Sequence, residues 1–405
     1  MSSQLAQQAA PPPAEDDQKV DRTREFMQRL MTGTPMLSVL AVVASLVLGA
    51  VLIAFTDERV AETAGYFFAR PTDMLEALWE AVAGAYTAMF QGAIFNPNRI
   101  STAQQVFTPL SNTFYYAAPL IIAGLGVAVA FKVGLFNIGG RGQMLVGSAV
   151  AGWVGFAVEL PPIIHVAVAL LAGIGAGAIW GGIVGLLKAR TGAHEVILTI
   201  MLNYVAYWAI VYALRTPELL RNPDNNNPIT PGMLDTAILH PLPGFKVHAG
   251  FLIAIAVVVI YWWFIERSSL GFQFRAVGLN PDAAKMAGMN VGLITTLAMV
   301  FAGAFMGLAG GIQVTGQVTS GFTSHIDAGI GFDAITVALL GRSSPWGTLI
   351  AGILFGALKA GGYNMAAAQG VPIDLVLVLQ SFIVLFIAAP ALVKTVFFLP
   401  KGGRK

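Results

Sequence analysis

The sequence contains no cysteine and few charged residues. The missing cysteine excludes disulfide bonds and thiolate metal sites. Only 11% of the 405 residues are Asp, Glu, Lys or Arg, whereas roughly a quarter of the residues in a soluble protein are charged. Together with 56% hydrophobic residues and a mean hydropathy of +0.72, this indicates an integral membrane protein. The formal net charge of +2 is too small to favour a nucleic-acid partner.

Motifs of catalytic sites are also missing. The sequence has no G-x-x-x-x-G-K-[ST] phosphate loop, so we do not expect it to bind ATP by that route. His194 and Glu195 begin like an H-E-x-x-H zinc motif, but Leu198 stands where the second histidine would be. No nucleophile is paired with a base. The sequence therefore predicts no catalytic residue, metal site or cofactor in this chain, and we do not expect an enzyme.

Long apolar runs divide the chain into ten segments, most of them close to the roughly 20 residues that cross a bilayer. They predict an all-α, polytopic membrane protein with about ten transmembrane helices, some of them discontinuous. The eighth segment is notably short. The ten segments are 36–55, 113–131, 143–160, 162–187, 196–214, 250–265, 292–312, 332–341, 346–360 and 373–392.

The distribution of Lys and Arg predicts the orientation. With ten crossings and both termini in the cytoplasm, 16 of the 23 Lys and Arg residues fall on the cytoplasmic side, and the outside holds the other 7, Lys359 among them. This topology gives a transmembrane domain at 36–395 and external loops at 56–112 and 215–249, the first with an amphipathic helix. Residues 1–35 form a cytoplasmic tail with an amphipathic lead-in helix, and 396–405 form a basic cytoplasmic tail.

The charged run at 266–291 is predicted to contain a short cytoplasmic helix. Asn280 suits the N-cap, Pro281 the first turn, and Gly288 the left-handed residue after the last turn. Its small residues, next to charged ones, would let the helix seat in a groove of a soluble partner. A capped surface loop is the alternative. The segment consists of Asn280, Pro281, Asp282, Ala283, Ala284, Lys285 and Gly288.

Glycines recur at every fourth position in two of the apolar segments. This spacing places them on one helix face, where the backbone of a neighbouring helix can approach closely. We therefore predict that both helices lie inside the bundle and do not face lipid. The glycines are Gly173, Gly177, Gly181 and Gly185 in one segment and Gly303, Gly307 and Gly311 in the other.

Two glycine-rich polar stretches, 132–143 and 314–345, interrupt the helical pattern at membrane depth. Irregular backbone is tolerated there only where it is buried or lines a watery cavity. Paired interruptions also point to the substrate site of a transporter. Because carboxylates are costly in lipid, Asp327 and Asp333 are expected to lie outside or to face a cavity.

Four motifs then carry a resemblance to a known family. They are GLFNIGGRGQMLVGS (134–148), TGAHEVILTIMLNY (191–204), GLNPDAAKMAGMNV (278–291) and GFDAITVALLGRSSPWG (331–347). In this order they resemble permease subunits of bacterial ABC importers of the branched-chain amino acid, ribose and nucleoside superfamily. They are most similar to the longer permease of nucleoside (guanosine) uptake systems.

The resemblance implies a transport subunit of the bacterial cell membrane that forms a pathway for nucleosides. Its partners would be a cytoplasmic ATPase with tandem nucleotide-binding domains, which would hold ATP and magnesium, a second permease in a heterodimer, and an external substrate-binding lipoprotein. Residues 280–288 would be the coupling helix. The family leads us to expect Glu where this chain has Arg141. Simple sugars such as ribose, or an ion-coupled secondary transporter acting alone, are the alternatives.

A nucleoside offers an aromatic base and hydroxyls, so its pathway should supply aromatic rings and amides. The alternative for each candidate is structural: Asn203 could bond across helices, and the aromatic residues could pack or form an interfacial belt. Similarly, His194 and Glu195 could form a gate or simply start a helix. The candidates for the pathway are Asn137, Gln143, Asn203, Tyr204, Tyr207 and Trp208.

Overall fold

The computed structural model describes residues 34–97 and 102–397, and over these ranges the chain is built from α-helices without a β-strand. The predicted fold class is confirmed. The predicted lead-in helix and nearly all of the basic C-terminal tail lie outside the described residues. The α-helices are α1 (Thr34–Thr56), α2 (Glu58–Ala64), α3 (Pro71–Ala93), α4 (Ala103–Lys132), α5 (Gly140–Ala157), α6 (Pro162–Thr191), α7 (Glu195–Arg215), α8 (Gly250–Arg267), α9 (Ser269–Leu279), α10 (Pro281–Met286), α11 (Val291–Ile312), α12 (Ile330–Leu340), α13 (Pro345–Gln369), α14 (Asp374–Ala388) and α15 (Pro390–Val396).

All ten predicted segments are helical. Within the described residues, seven helices are long and apolar enough to cross a membrane, namely α1, α4, α6, α7, α8, α11 and α13. The other three segments form α5, α12 and α14. Helix α12 has 11 residues, which corresponds to about 16 Å and roughly half of a bilayer core. The short eighth segment is therefore a half-helix, and α11 ends before it in a single π-helical turn at Gln313–Gln317.

Helix α4 lies at the centre of the bundle. Its sequence is apolar on every side from Ala117 to Ala130, and a helix that is apolar all round is expected to be buried. In agreement, the side chains along this stretch are almost completely inaccessible. Helices α8, α11, α12 and α13 surround it. This core positions every element of the candidate site.

The two glycine faces pack against each other, as predicted, between α6 and α11. A Cβ atom on Gly303 would overlap the carbonyl oxygen of Gly177, and one on Gly307 would overlap that of Gly173. The prediction that both helices lie inside the bundle is wrong for α6, because the face opposite its glycines is exposed at residues such as Ile179. The spacing identified the contact face, but it carries no information about the other side of the helix.

Helix α4 also defines the two ends of the bundle. Its last residue, Lys132, abuts Gly278 in α9, and Tyr261 of α8 donates a hydrogen bond to the Ser343 carbonyl at 3.2 Å. We call this the coupling end. At the other, distal end, Gln104 Nε2 donates to the Gly244 carbonyl at 2.8 Å. The rise of an α-helix separates the two ends by about 40 Å.

The amphipathic helix predicted in the first long loop is α3. It packs against α13, where Asn364 Nδ2 donates to the Ala88 carbonyl at 2.6 Å. Tyr86 reaches α1 and donates to the Leu46 carbonyl. The opposite face stays exposed at Trp79. Helix α3 thus covers the distal part of α13 as an integral part of the bundle.

Candidate functional site

The short helix predicted after α9 is confirmed as α10. The Asn280 side chain accepts a hydrogen bond from the Ala283 N–H at 3.0 Å, and this caps the first turn. Pro281 occupies the first helical position. Gly288 has φ of +83°, the left-handed conformation that glycine adopts without steric cost. The local chemistry of the sequence therefore fixes this helix at both ends.

The surface of α10 differs from the one we predicted. Ala284 is buried in the chain's own core, so it anchors the helix and has no free surface to seat in a partner. Asp282 and Lys285 are exposed, as are the apolar side chains of Leu279 and Met286, which are 88% and 89% accessible. The predicted surface consisted of small residues and the charged residues beside them, and it did not include Leu279 or Met286. A protruding apolar pair flanked by charges is suited to a protein partner.

The three predicted pathway amides converge on the first interruption. Asn137 Nδ2 donates to Gln143 Oε1 at 3.1 Å, and Asn137 Oδ1 accepts from the Gly139 N–H at 2.9 Å. Asn203 Oδ1 accepts from the Gly142 N–H at 2.8 Å, while its Nδ2 donates to the Ile138 carbonyl at 3.0 Å.

All three side chains are buried. The hydrogen bonds of Asn137 and Asn203 satisfy backbone groups that no helix satisfies in this segment, and Gln143 holds the Asn137 side chain in place. The structural alternative given for Asn203 is what the geometry shows, since its amide ties α7 to the segment before α5.

The predicted aromatic residues on α7 do not point in one direction. Tyr204 and Trp208 are mainly exposed on the outer face of the helix. Tyr207 turns inward, where the Arg141 guanidinium carbon lies 5.2 Å from its ring centroid and the His325 ring lies 5.8 Å away. This is a cation–π contact. The six predicted residues thus form a buried amide group, one inward ring and two outward rings, and they do not surround a common space.

His194 and Glu195 start α7. The His194 Nδ1 accepts a hydrogen bond from the Val196 N–H at 3.3 Å, which makes it the N-cap. Glu195 pairs with Lys188 of α6 at 2.5 Å. The two predicted roles of this pair were a gate and the start of a helix, and the geometry shows the start of a helix.

Two interior ion pairs were not predicted. The Arg141 Nε lies 3.4 Å from Asp327 Oδ1, and the Lys359 Nζ lies 2.8 Å from Asp333 Oδ2. Lys359 also donates to the Ala328 carbonyl at 3.3 Å. The assignment of Lys359 to an external loop is wrong, because it lies within α13, ten residues before its end. Both carboxylates are compensated by cations inside the protein, so neither the outside nor a cavity is needed to explain them.

The two interruptions meet where these pairs lie. A Cβ atom on Gly331 would overlap the backbone of Arg141, so the first turns of α5 and α12 are in direct contact. Arg141 belongs to the first interruption, and Asp327 and Asp333 belong to the second. The Arg141–Asp327 pair joins the two interruptions, and the Lys359–Asp333 pair joins the second interruption to α13. We call this place the junction. Nothing in the local sequence shows that residues nearly 200 positions apart will pair.

Comparison with known proteins agrees with this architecture. Residues 109–388 match the permease component of branched-chain amino acid transport systems. The guanosine ABC transporter permease protein of Bacillus subtilis (strain 168) is 38% identical over 311 residues, which is 76% of this chain and 86% of that protein. The glucose ABC transporter permease protein of Haloferax volcanii is 34% identical over 380 residues, or 91% of this chain and 90% of that protein.

The nucleoside ABC transporter permease protein of Lactococcus lactis subsp. cremoris (strain MG1363) is 34% identical over 303 residues, covering 72% of this chain and 82% of that protein. No solved structure matches. These relatives are transport components, and the apolar helices described above make this chain a multi-pass membrane protein. As the four motifs predicted, the chain belongs to the family of permease components of branched-chain amino acid transport systems and is the transmembrane permease component of an ABC importer.

Proposed function

We propose that this chain and a second permease subunit form the path by which nucleosides cross a bacterial cell membrane, driven by ATP hydrolysis on a cytoplasmic ATPase. The names of the guanosine and nucleoside relatives support this cargo. An external lipoprotein would deliver the nucleoside, and ATP and magnesium would bind to the ATPase. A hexose is the second candidate, because the glucose relative aligns with 91% of this chain.

The geometry of α10 supports the proposal that ATP hydrolysis on the partner is coupled to transport through this chain. Ala284 fixes the helix to the core, while Leu279, the last residue of α9, and Met286, the last residue of α10, are almost fully exposed. Gly278 packs on the backbone of Lys132, so a push on this loop reaches the end of the central helix α4 directly. A partner ATPase that gripped Leu279 and Met286 would therefore move the bundle itself.

Serine substitutions at Leu279 and Met286 test the coupling role. The double variant Leu279→Ser, Met286→Ser should fold normally, because both side chains are almost fully exposed. The amount of ATPase that co-purifies with it and the rate of ATP-driven uptake should each fall at least ten-fold. The matched control is Ile163→Ser, an equally exposed apolar residue in the first turn of α6. Unchanged ATPase binding and uptake in the double variant would remove α10 from the mechanism.

Reconstitution tests the cargo and the energy source. The tagged chain is purified from its native membrane with whatever subunits accompany it, and the complex is placed in proteoliposomes. We expect an ATPase, a second permease and a lipoprotein to co-purify, and guanosine uptake to require ATP. ATP-dependent uptake of glucose without guanosine would support the hexose permease. Uptake by the chain alone, driven by an ion gradient, would show a secondary transporter.

A further inference from the structure

A cavity of about 590 Å³ opens at the distal end of the bundle. This volume lies within the roughly 300–1,000 Å³ that small-molecule sites occupy. Helices α3, α4 and α13 form its walls. The side chains that the argument uses are Gln91, Gln105, Asn112, Tyr116, Tyr363 and Asn364.

Helical spacing brings these polar residues together in the wall of the cavity. In α4, Gln105, Asn112 and Tyr116 are separated by seven and then four positions, which puts them on one helix face. Tyr363 and Asn364 are adjacent in α13. Helix α3 comes close enough to close the third wall because Gly92 lies directly against Asn364, with no room for a Cβ atom.

The cavity contains a flat aromatic surface. The rings of Tyr116 and Tyr363 are stacked, with their centroids 5.4 Å apart and their planes inclined by 25°. Tyr363 is 53% accessible, although it belongs to α13, which packs directly on the central helix α4. A stacked pair with one accessible ring offers a platform for a planar heterocycle.

Amide side chains near the two tyrosines can form hydrogen bonds with a solute. Within the part of the chain that the structure describes, Asn112 Oδ1 is buried and has no hydrogen-bond partner. Asn364 uses its Nδ2 for the Ala88 carbonyl, and its Oδ1 remains as a second acceptor. Gln91 and Gln105 add two further primary amides to the lining. Among the described lining residues Lys246 is the one charged group, so the site favours neutral or anionic solutes over cations.

We propose that this cavity binds the solute as it enters the permease, with a purine or pyrimidine base stacked on the tyrosines and its edge and hydroxyls bonded to the amides. The identification of the solute as a nucleoside rests on the proposed function. The cavity residues of α4, from Gln105 to Tyr116, lie about 24 to 40 Å of helix rise from Lys132 at the coupling end, on the side where an external donor would release cargo. Tyr115, the neighbour of Tyr116 in α4, donates to the Gln317 carbonyl of the second interruption at 3.3 Å.

The absence of native cysteine makes a direct test possible. In Ala367→Cys the new thiol lies in the cavity lining at an exposed, small residue, so the fold should tolerate it. In the purified complex we expect a water-soluble maleimide to label this thiol, and millimolar guanosine to slow the labelling at least five-fold. Ile163→Cys, in the first turn of α6 and outside the cavity lining, is the matched control whose labelling guanosine should not change. Equal labelling of Ala367→Cys with and without guanosine, in a complex that transports guanosine, would overturn the proposal.

Uptake kinetics supply an independent measurement. Tyr363→Ala should raise the KM for guanosine about ten-fold, since it removes the accessible ring on which the base would stack. Tyr363→Phe keeps the ring and should stay within two-fold of the native KM. Tyr212→Ala, an exposed tyrosine on α7, is the control. Equal KM values for all three would overturn the site. The absence of guanosine uptake by the native complex would instead refute the proposed function, whereas guanosine protection of Ala367→Cys would still demonstrate the site.

Discussion

Two groups of amide side chains in this permease have opposite surroundings. At the first interruption, Asn137 and Asn203 are buried and bond to backbone groups or to another amide. In the distal cavity, Asn112 keeps a carbonyl oxygen without a partner among the described residues. The comparison shows that an amide next to irregular backbone serves the fold, whereas an amide on a regular helix that borders a cavity can keep an acceptor that no group of the described chain uses.

The physical reason lies in the backbone. A helix such as α4 satisfies most of its own N–H and C=O groups, and its own side chains are not needed for that purpose. An exception is the Tyr115 carbonyl, which Pro119 leaves free and which accepts from Gln317 Nε2. The segment between α4 and α5 has no such internal pairing, so nearby amides take over. The residue type alone does not tell an amide that supports the backbone from one that is left over for a solute. Three substitutions test this difference.

The largest effect is expected at the junction. Asp327→Asn should lower the free energy of unfolding by about 3 kcal/mol, because it leaves the largely buried Arg141 guanidinium without its counter-charge. The measurement is denaturant unfolding of the purified chain, followed by tryptophan fluorescence. The double variant Asp327→Asn, Arg141→Gln should recover more than half of the loss. A single variant as stable as the native chain would show that the pair contributes nothing to folding.

A smaller loss of folding stability is expected at the first interruption. Asn203→Ala should destabilise the chain by about 2 kcal/mol, because it unpairs the buried Gly142 N–H and the Ile138 carbonyl. Trp208→Ala on the same helix removes an exposed ring and should change stability by less than about 0.5 kcal/mol. The same unfolding assay measures both. If the two variants lost equal stability, Asn203 would not be holding the broken segment.

The smallest effect is expected in the distal cavity. Asn112→Leu should leave the stability within about 0.5 kcal/mol of the native value, because the Oδ1 atom that it removes makes no hydrogen bond in the described structure. The readout is again the unfolding free energy, with Asn203→Ala as the contrasting variant. A loss of the size seen for Asn203→Ala would mean that Asn112 belongs to the fold and that the two amide groups do not differ.

Much of the fold could be predicted from local sequence. Apolar length identified all ten helical segments, cap chemistry identified both ends of α10, and four-residue glycine spacing identified the α6–α11 contact. These signals are local because each depends on residues within a few turns. The same signals located both interruptions, since glycines and polar residues replace the apolar pattern there.

The site could not be predicted to the same extent. Whether Ala284 faces a partner or the core depends on how α10 sits on the rest of the chain, which its own sequence does not specify. The ten-crossing topology placed Lys359 outside, and its pairing with Asp333 inside the bundle depends on how α12 and α13 pack together. The distal cavity needs three helices that are far apart in the chain. Its signal was the helical spacing of Gln105, Asn112 and Tyr116, combined with an adjacent polar pair in α13.

The backbone contact between α6 and α11 has a mechanical consequence. Because glycine stands at each crossing, the two helices touch through main-chain atoms, and neither has a flexible side chain that could absorb sliding. During a transport cycle the pair should therefore move as one rigid body. Relative motion is left to the surfaces where helices meet through side chains, which can change conformation without moving the backbone of either helix.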